Sequence, residues 1–354
     1  MKKPTNSVDF FLGAVGPQGF QGYFDRLAAE PGMQLYLIKS GPGCGKSTLM
    51  RRIADRADEP LERIHCSSDP DSLDGVILSR RPAAVLDATP PHAMEPACPG
   101  ACEQVVGLYH SMDTRRLRAD REKILRQSLR CKGLQERAAN YIASAARLLA
   151  DSRCTAGFST DFAKVRAYAQ RLAVRYLPKA QAAGVEQVRL LSAVTPKGLL
   201  TFYDTVPALA DTIVVFHDEY GASSSLLMDA LRQQALERGC RIIRCPCPLG
   251  GGTQHLFIPA LRLAFLTSNS WHPMEFEGQK NIHCSRFEDK AMLRCRKKRL
   301  RFNRRAAAEL LAQASAMQRE AKASHDQLER LYGAAIDFAK VNAAGDALLQ
   351  ELCL

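Results

Sequence analysis

The sequence predicts an α/β protein built twice over, each copy a sheet with helices on both faces and an added helical region. Two observations predict it. An internal repeat runs through nearly all of the 354 residues, and a strand, a glycine-rich loop and a helix follow one another near the start of the first copy.

The repeat comes first, because a duplicated chain changes how every motif is read. Ala14-Val15-Gly16-Pro17-Gln18-Gly19 is echoed by Ala193-Val194-Thr195-Pro196-Lys197-Gly198. Gly43, Ser47, Leu49 and Met50 face Gly221, Ser225, Leu227 and Met228. Further on, Ile64 and Cys66 face Ile243 and Cys245, and His92, Met94 and Glu95 face His272, Met274 and Glu275. Late in each copy the same tetrapeptide appears, Asp161-Phe162-Ala163-Lys164 and Asp337-Phe338-Ala339-Lys340. The matches keep their order and the offset drifts by only a few residues. Two domains follow, 8–185 and 186–354. Each ends in a stretch rich in Ala, Leu, Arg, Gln and Glu, which favour helix, and the copies are expected to pack as a pseudo-symmetric pair.

In the first copy, Gln34 to Lys39 reads as a buried strand. Ser40-Gly41-Pro42-Gly43-Cys44-Gly45-Lys46-Ser47-Thr48 follows, and Leu49 to Ala54 carries a helical apolar pattern. That order is the context of a Walker A loop, and the fold class sharpens to a P-loop NTPase three-layer sheet. Glycines let the backbone curl so that successive N–H groups converge on phosphate oxygens, and the helix N-terminus adds partial positive charge. Gly41, Gly43, Cys44, Gly45, Lys46, Ser47 and Thr48 are the candidate nucleotide-binding residues. Lys46 would reach the β- and γ-phosphates and Ser47 would ligate Mg²⁺. The usual pattern opens on glycine where this chain has Ser40.

Arg63 to Cys66 reads as a second strand, ending in an acidic turn, Ser67 to Gly75, with Asp69, Asp71 and Asp74. Strand ends are where α/β sheets put ligand contacts, so these carboxylates are candidates to orient water, hold Mg²⁺ through water or accept a proton. The same residues also make an ordinary exposed turn. Ala83 to Asp87 is a third strand ending in an acid, which looks like a Walker B, with Asp87 as the second Mg²⁺ residue. Thr89 and His92 lie just beyond it. Because His92 recurs as His272 in a copy without the lysine, a structural hydrogen bond is the expected role of His92.

The second copy reads His217-Asp218-Glu219-Tyr220-Gly221-Ala222-Ser223-Ser224-Ser225 at the loop. Ser224 stands for the lysine, two glycines are gone, and Asp218 and Glu219 bring negative charge where phosphates would sit. Asp87 is matched by Thr267, and the acidic turn by Pro248 to Thr253, which has no carboxylate. This copy is expected not to bind Mg-nucleotide.

The chain carries a formal net charge of +12, which favours an anionic partner. Eight of the twelve residues from Arg294 to Arg305 are Arg or Lys, and a second basic stretch runs from Arg115 to Lys132. An arginine from either segment (Arg115, Arg116, Arg118 or Arg121 in one of them) is a candidate to stabilise γ-phosphate charge. Phe302 is the only aromatic in the Arg294–Arg305 run, so base stacking on nucleic acid has little support. No apolar run is long enough for a membrane helix, and no secretory leader follows Met1-Lys2-Lys3-Pro4. A cytoplasmic protein without a membrane partner is expected, its twelve cysteines reduced. The close pairs Cys98/Cys102 and Cys245/Cys247 lack zinc-site spacing.

Three stretches, Leu37 to Met50, His65 to Gly75 and Val85 to His92, resemble a set of uncharacterised bacterial ATP-binding proteins with duplicated P-loop domains, described only as ATPases or nucleotide kinase-like proteins. Through the repeat the resemblance covers nearly the whole chain. It implies nucleotide binding and names no substrate. In that family the second copy often keeps its own Gly-Lys-Ser/Thr loop; here it does not. The expectation is therefore a Mg-ATP-hydrolysing protein with one site, in the first copy. A kinase acting on a small molecule or nucleotide is one alternative, with the Asp69–Asp71 turn beside an acceptor. A non-catalytic nucleotide-sensing or nucleic-acid-associated module is the other. A GTPase is disfavoured by the missing Asn-Lys-x-Asp motif and an ABC ATPase by the missing signature loop. The oligomeric state is left open.

Overall fold

The computed structural model describes residues 7–180 and 182–354; the Met1-Lys2-Lys3-Pro4 segment lies outside the described residues. The first copy runs β1 (Val8–Phe10), the hairpin β2 (Gly13–Gly16) and β3 (Gly19–Gly22), α1 (Asp25–Ala28), β4 (Gln34–Lys39), α2 (Lys46–Arg56), β5 (Leu61–His65), β6 (Leu73–Leu78), β7 (Ala83–Asp87), β8 (Glu103–Gly107), α3 (Thr114–Ala119), α4 (Arg121–Gly157) and α5 (Phe162–Tyr176). The second copy repeats it: β9 (Val185–Val188), β10 (Ser192–Thr195), β11 (Gly198–Thr201), α6 (Thr205–Leu209), β12 (Thr212–His217), α7 (Ala222–Glu237), β13 (Arg241–Pro246), β14 (Thr253–Ile258), β15 (Leu263–Ser268), β16 (Lys280–His283), α8 (Lys290–Cys295), α9 (Lys297–Gly333) and α10 (Phe338–Glu351).

The duplication is plain in the strand order. The first six-stranded sheet is β1-β5-β6-β7-β4-β8, and the second, followed from β9, is β9-β13-β14-β15-β12-β16. The first three-way junction is antiparallel in both: β6 runs against β5 and β7, as β14 runs against β13 and β15, while the remaining pairs are parallel. The sheets are therefore mixed. β6 is a strand where the sequence suggested the tail of a turn. Its six residues, Leu73-Asp74-Gly75-Val76-Ile77-Leu78, are all buried, and Asp74 lies in the sheet.

Strand periodicity divides the first core between two faces. Tyr36, Ile38, Val76, Leu78 and Val85 point to one face and pack with Leu49, Met50 and Ile53 of α2 and with Val341, Leu348 and Leu349 of α10. In the second copy, Val214, Phe216 and Phe265 pack with Leu227, Met228 and Leu231 of α7 and with Val165, Ala169 and Leu172 of α5.

The packing divides the chain differently from the repeat. The compact units are Met1–Ala139 with Val194–Gly198 and Ala314–Leu354, and Asn140–Ala193 with Leu199–Gln313. The last helix of each repeat belongs to the other repeat's sheet. The two anchors match: in the first unit Asp113 N donates to Ala335 O and Asp337 N to Ser111 O, both 2.8 Å. In the second, Asp161 N donates to Phe287 O (2.8 Å) and Asp289 N to Ser159 O (2.7 Å). The repeated Asp161 and Asp337 also cap α5 and α10 with their side chains, which satisfies helix N–H groups that have no intrahelical partner. No helix among the described residues is long and apolar enough to cross a membrane.

Candidate functional site in the first unit

β4 ends at Lys39, six residues form the loop, and α2 starts at Lys46. Gly43 and Gly45 have φ of +67° and +78°, a left-handed backbone that a side chain resists. Two further constraints hold the loop. A Cβ at Gly43 would stand 2.4 Å from the carbonyl oxygen of Glu329, and one at Gly41 would stand 2.8 Å from the Tyr332 ring. Both contacts come from the end of α9, inside the same unit. Gly45 makes no side-chain cap for α2, and among the described residues no side-chain oxygen accepts from the main-chain N–H groups of 41–48. Cys44 is buried in the turn, and Thr48 is exposed.

Lys46 folds back over the loop. Its Nζ donates to Gly41 O at 2.8 Å and lies 3.4 Å from Asp87 Oδ2. Ser47 Oγ accepts from Leu73 N at 3.0 Å, which ties the start of α2 to the start of β6. Asp87, at the end of β7, is buried; its Oδ1 accepts from Thr89 N (3.0 Å) and Thr89 Oγ1 (2.5 Å).

The three acids of the predicted turn part company. Asp74 faces the Asp87 cluster. Asp69 accepts from Ser72 Oγ at 2.8 Å and lies 3.6 Å from Lys322 Nζ. Asp71 is exposed and pairs with Lys197 at 2.7 Å, whose ammonium holds its carboxyl below the usual range. Lys197 and Lys322 come from the second half of the chain and no local signal in the sequence links them to this turn.

Asp74, Asp87 and His92 are all buried, and one ligand atom from each lies within 4.8 Å of the others. His92 Nδ1 is 2.8 Å from Thr89 O, so in its neutral form it donates there and turns the Nε2 lone pair toward Asp74, whose Oδ2 is 3.4 Å away. The expected structural bond of His92 is present, and the same bond aims its other nitrogen at the carboxylates. Burial, then the charge of Asp87, pushes the Asp74 carboxyl up to about 8; burial pushes the His92 imidazole down. At neutral pH the cluster thus holds a protonated Asp74 and a neutral imidazole, next to Asp87 and Lys46.

The second copy closes the equivalent place with its own side chain. The loop from β12 to α7 is four residues, Asp218 to Gly221, again with a left-handed glycine before the helix, Gly221 at φ +74°. The residue after that glycine, where Lys46 stands in the first copy, is Ala222. Ser224 faces the lysine only in the register of the helix, because α7 begins two residues earlier. Asp218 Oδ1 accepts from Tyr220 N (3.2 Å) and Gly221 N (2.9 Å), and Oδ2 from Ser223 N (2.9 Å) and Ser224 N (2.7 Å). This buried carboxylate occupies the helix N-terminus where an anion would bind. Glu219 turns elsewhere, to Ser270 Oγ at 2.5 Å. By strand register Asp74, Asp87 and His92 correspond to Gln254, Thr267 and His272, so the acidic cluster has become neutral.

Arg115, Arg116, Arg118 and Arg121 are exposed. In the Arg294–Arg305 segment, Arg299 pairs with Asp151, Arg304 lies 3.4 Å from Glu219 and Arg296 sits over the Phe158 ring at 5.5 Å. All twelve cysteines are free. No protein-family model, no curated protein and no solved structure matches the chain.

Proposed function

We propose that the first unit binds a nucleoside triphosphate, ATP with Mg²⁺, and hydrolyses it, and that the second copy has no such site. The observation that carries this reading is the contrast between two loops of one ancestry. One holds a half-buried lysine against an acid and, among the described residues, leaves its N–H groups without a side-chain acceptor. The other has lost the lysine and fills its N–H groups with Asp218.

The residues suit Mg²⁺, which takes hard oxygen donors. Ser47 Oγ and Asp87 would hold it, and when bound it would spread the negative charge of the phosphates. Lys46 would leave Gly41 O for the β- and γ-phosphate oxygens. Ser40 supports an open cradle: its hydroxyl is buried with no partner among the described residues, and it is too short to reach round the loop as Asp218 does. Hydrolysis is favoured over transfer to an acceptor because the Asp69 and Asp71 carboxylates are already held by Lys322 and Lys197. The nucleic-acid reading is weakened by the carboxylate partners of Arg299 and Arg304.

The test is ATP turnover and calorimetric ATP binding with Mg²⁺, for wild type beside Lys46→Ala, with and without a metabolite pool. Turnover without acceptor, lost in the variant, is expected. Turnover only with added metabolites would favour the kinase. No heat with any common nucleoside triphosphate would end the reading.

A further inference from the structure

A cleft of about 640 Å³ lies in the second unit, between the start of α7 and the elbow joining α4 to α5. Its volume is within the range of small-molecule sites, roughly 300–1,000 Å³. Phe158 and Phe162 line it and are 68% and 39% exposed, which is costly for two neighbouring phenylalanines in water. Arg153 and Arg166 also line it, and among the described residues neither has an ion-pair or hydrogen-bond partner. Ser225 and Asp229 of α7 complete the polar wall.

The origin of the space is visible in the repeat. Counting from the matching caps Asp161 and Asp337, Arg153 corresponds to Glu329, Phe158 to Ala334, Phe162 to Phe338 and Arg166 to Asn342. In the first unit the elbow closes on the loop, with Gly43 against the main chain of Glu329 and Gly41 against Tyr332. The loop of the second unit is two residues shorter and Asp218 holds it in, so its Gly221 meets the elbow only through the Arg153 side chain, 3.9 Å from a Cβ placed there, and not through the elbow's main chain. The charge at this place also reverses, from Glu329 to Arg153, and a second arginine replaces Asn342.

We infer that this cleft is a binding site for a small aromatic anion, a flat ring carrying a phosphate or carboxylate. The ring packs on Phe158 and Phe162, and the anion pairs with the Arg153 and Arg166 guanidinium groups, which suit planar and tetrahedral oxyanions. The filled N-terminus of α7 takes no part. The site is independent of nucleotide binding in the first unit.

Calorimetry tests it on the full chain carrying Lys46→Ala, so that the first unit contributes no heat. Adenosine monophosphate and indole-3-acetate are titrated separately, with adenosine and inorganic phosphate as controls. Saturable one-to-one binding of one of the two aromatic anions is expected, with Kd below about 1 mM and weaker binding of both controls; which anion binds identifies a nucleotide or an aryl carboxylate. Arg153→Gln and Arg166→Gln should each weaken binding about tenfold or more, as loss of a charged hydrogen bond does. Phe158→Ala, at an exposed position, gives a second variant with no charge change and should also weaken it. If neither aromatic anion binds saturably, or if the double arginine variant melts like wild type and binds unchanged, the inference is wrong.

Discussion

Ser40 and Asp218 stand at the same point of their copies, one residue past the strand, and the difference between them decides what the loop can hold. Asp218 receives four main-chain N–H bonds; among the described residues Ser40 Oγ receives none. Ser40→Asp should put a carboxylate into the first loop. ATP affinity should fall about a hundredfold or more while the melting temperature holds, which calorimetry and a thermal melt would read together. Asp218→Asn removes the charge and turns one acceptor oxygen into an amide donor, so two of the four bonds are lost; it should cost about 1.5–3 kcal/mol of stability or more, measured by urea unfolding. A second residue-scale consequence concerns the stacked pair His255 and His272, with ring centroids 4.8 Å apart. Among the described residues, His255 Nε2 and both ring nitrogens of His272 have no hydrogen-bond partner. Burial pushes His272 down to about 4 from its usual 6.5 and His255 well below the usual value. As pH falls below 6.5 an unfolded imidazole takes up a proton and the buried one does not, so stability present above that pH is lost on the way to pH 4. His272→Phe should flatten this slope in melts taken between pH 7 and pH 4.5.

At the scale of elements, the cradle is a loop clamped between α2 and the end of α9. Gly43→Ala meets two obstacles, a left-handed φ and the Glu329 carbonyl. The backbone strain alone costs roughly 1–2 kcal/mol, and the overlap with main chain adds to it. A lowered melting temperature and weakened ATP binding are expected together, since the end of α9 must shift. The strand, loop and helix around Lys46 were legible in the sequence because glycine spacing and apolar period are local signals. Asp87 was legible for the same reason. Asp74 was found but set in the wrong element: Ser67 to Gly75 is rich in turn formers, and the tertiary pairing of Leu73 to Leu78 between β5 and β7 overrides that propensity. The lysines on Asp69 and Asp71 were not legible, because ion pairs spanning more than 120 residues leave no periodicity. Nor was the filling of the second loop by Asp218 fully visible. Its negative charge could be read, but which N–H groups it meets depends on a loop two residues shorter.

For the whole molecule, the repeat boundary and the packing boundary differ. The first sheet is covered by α10, from the end of the second repeat, and the second sheet by α5, from the end of the first. A sequence repeat reports ancestry, and the helical ends match between copies whichever sheet they cover, so the exchange leaves no trace in the alignment. It does have a thermodynamic signature. Val341, Leu348, Leu349 and Leu352 are each buried against the first core, and burying a side chain of that size contributes about 1.5–3 kcal/mol. Several such side chains match the whole net stability of an ordinary domain, about 5–15 kcal/mol. A chain cut between residues 179 and 180, after α5 and ahead of β9, should therefore give a first fragment with a sheet missing its helix and an α5 missing its sheet. Each fragment alone should lack a cooperative melt and show little protection of β4 and β12 amides from hydrogen exchange. Mixed at equal concentration, the fragments should recover both, with a melting temperature that rises with concentration because folding is now an association. A first fragment that melts cooperatively by itself would mean that the sheet does not need α10, and the exchange would then be a matter of chain path and not of stability.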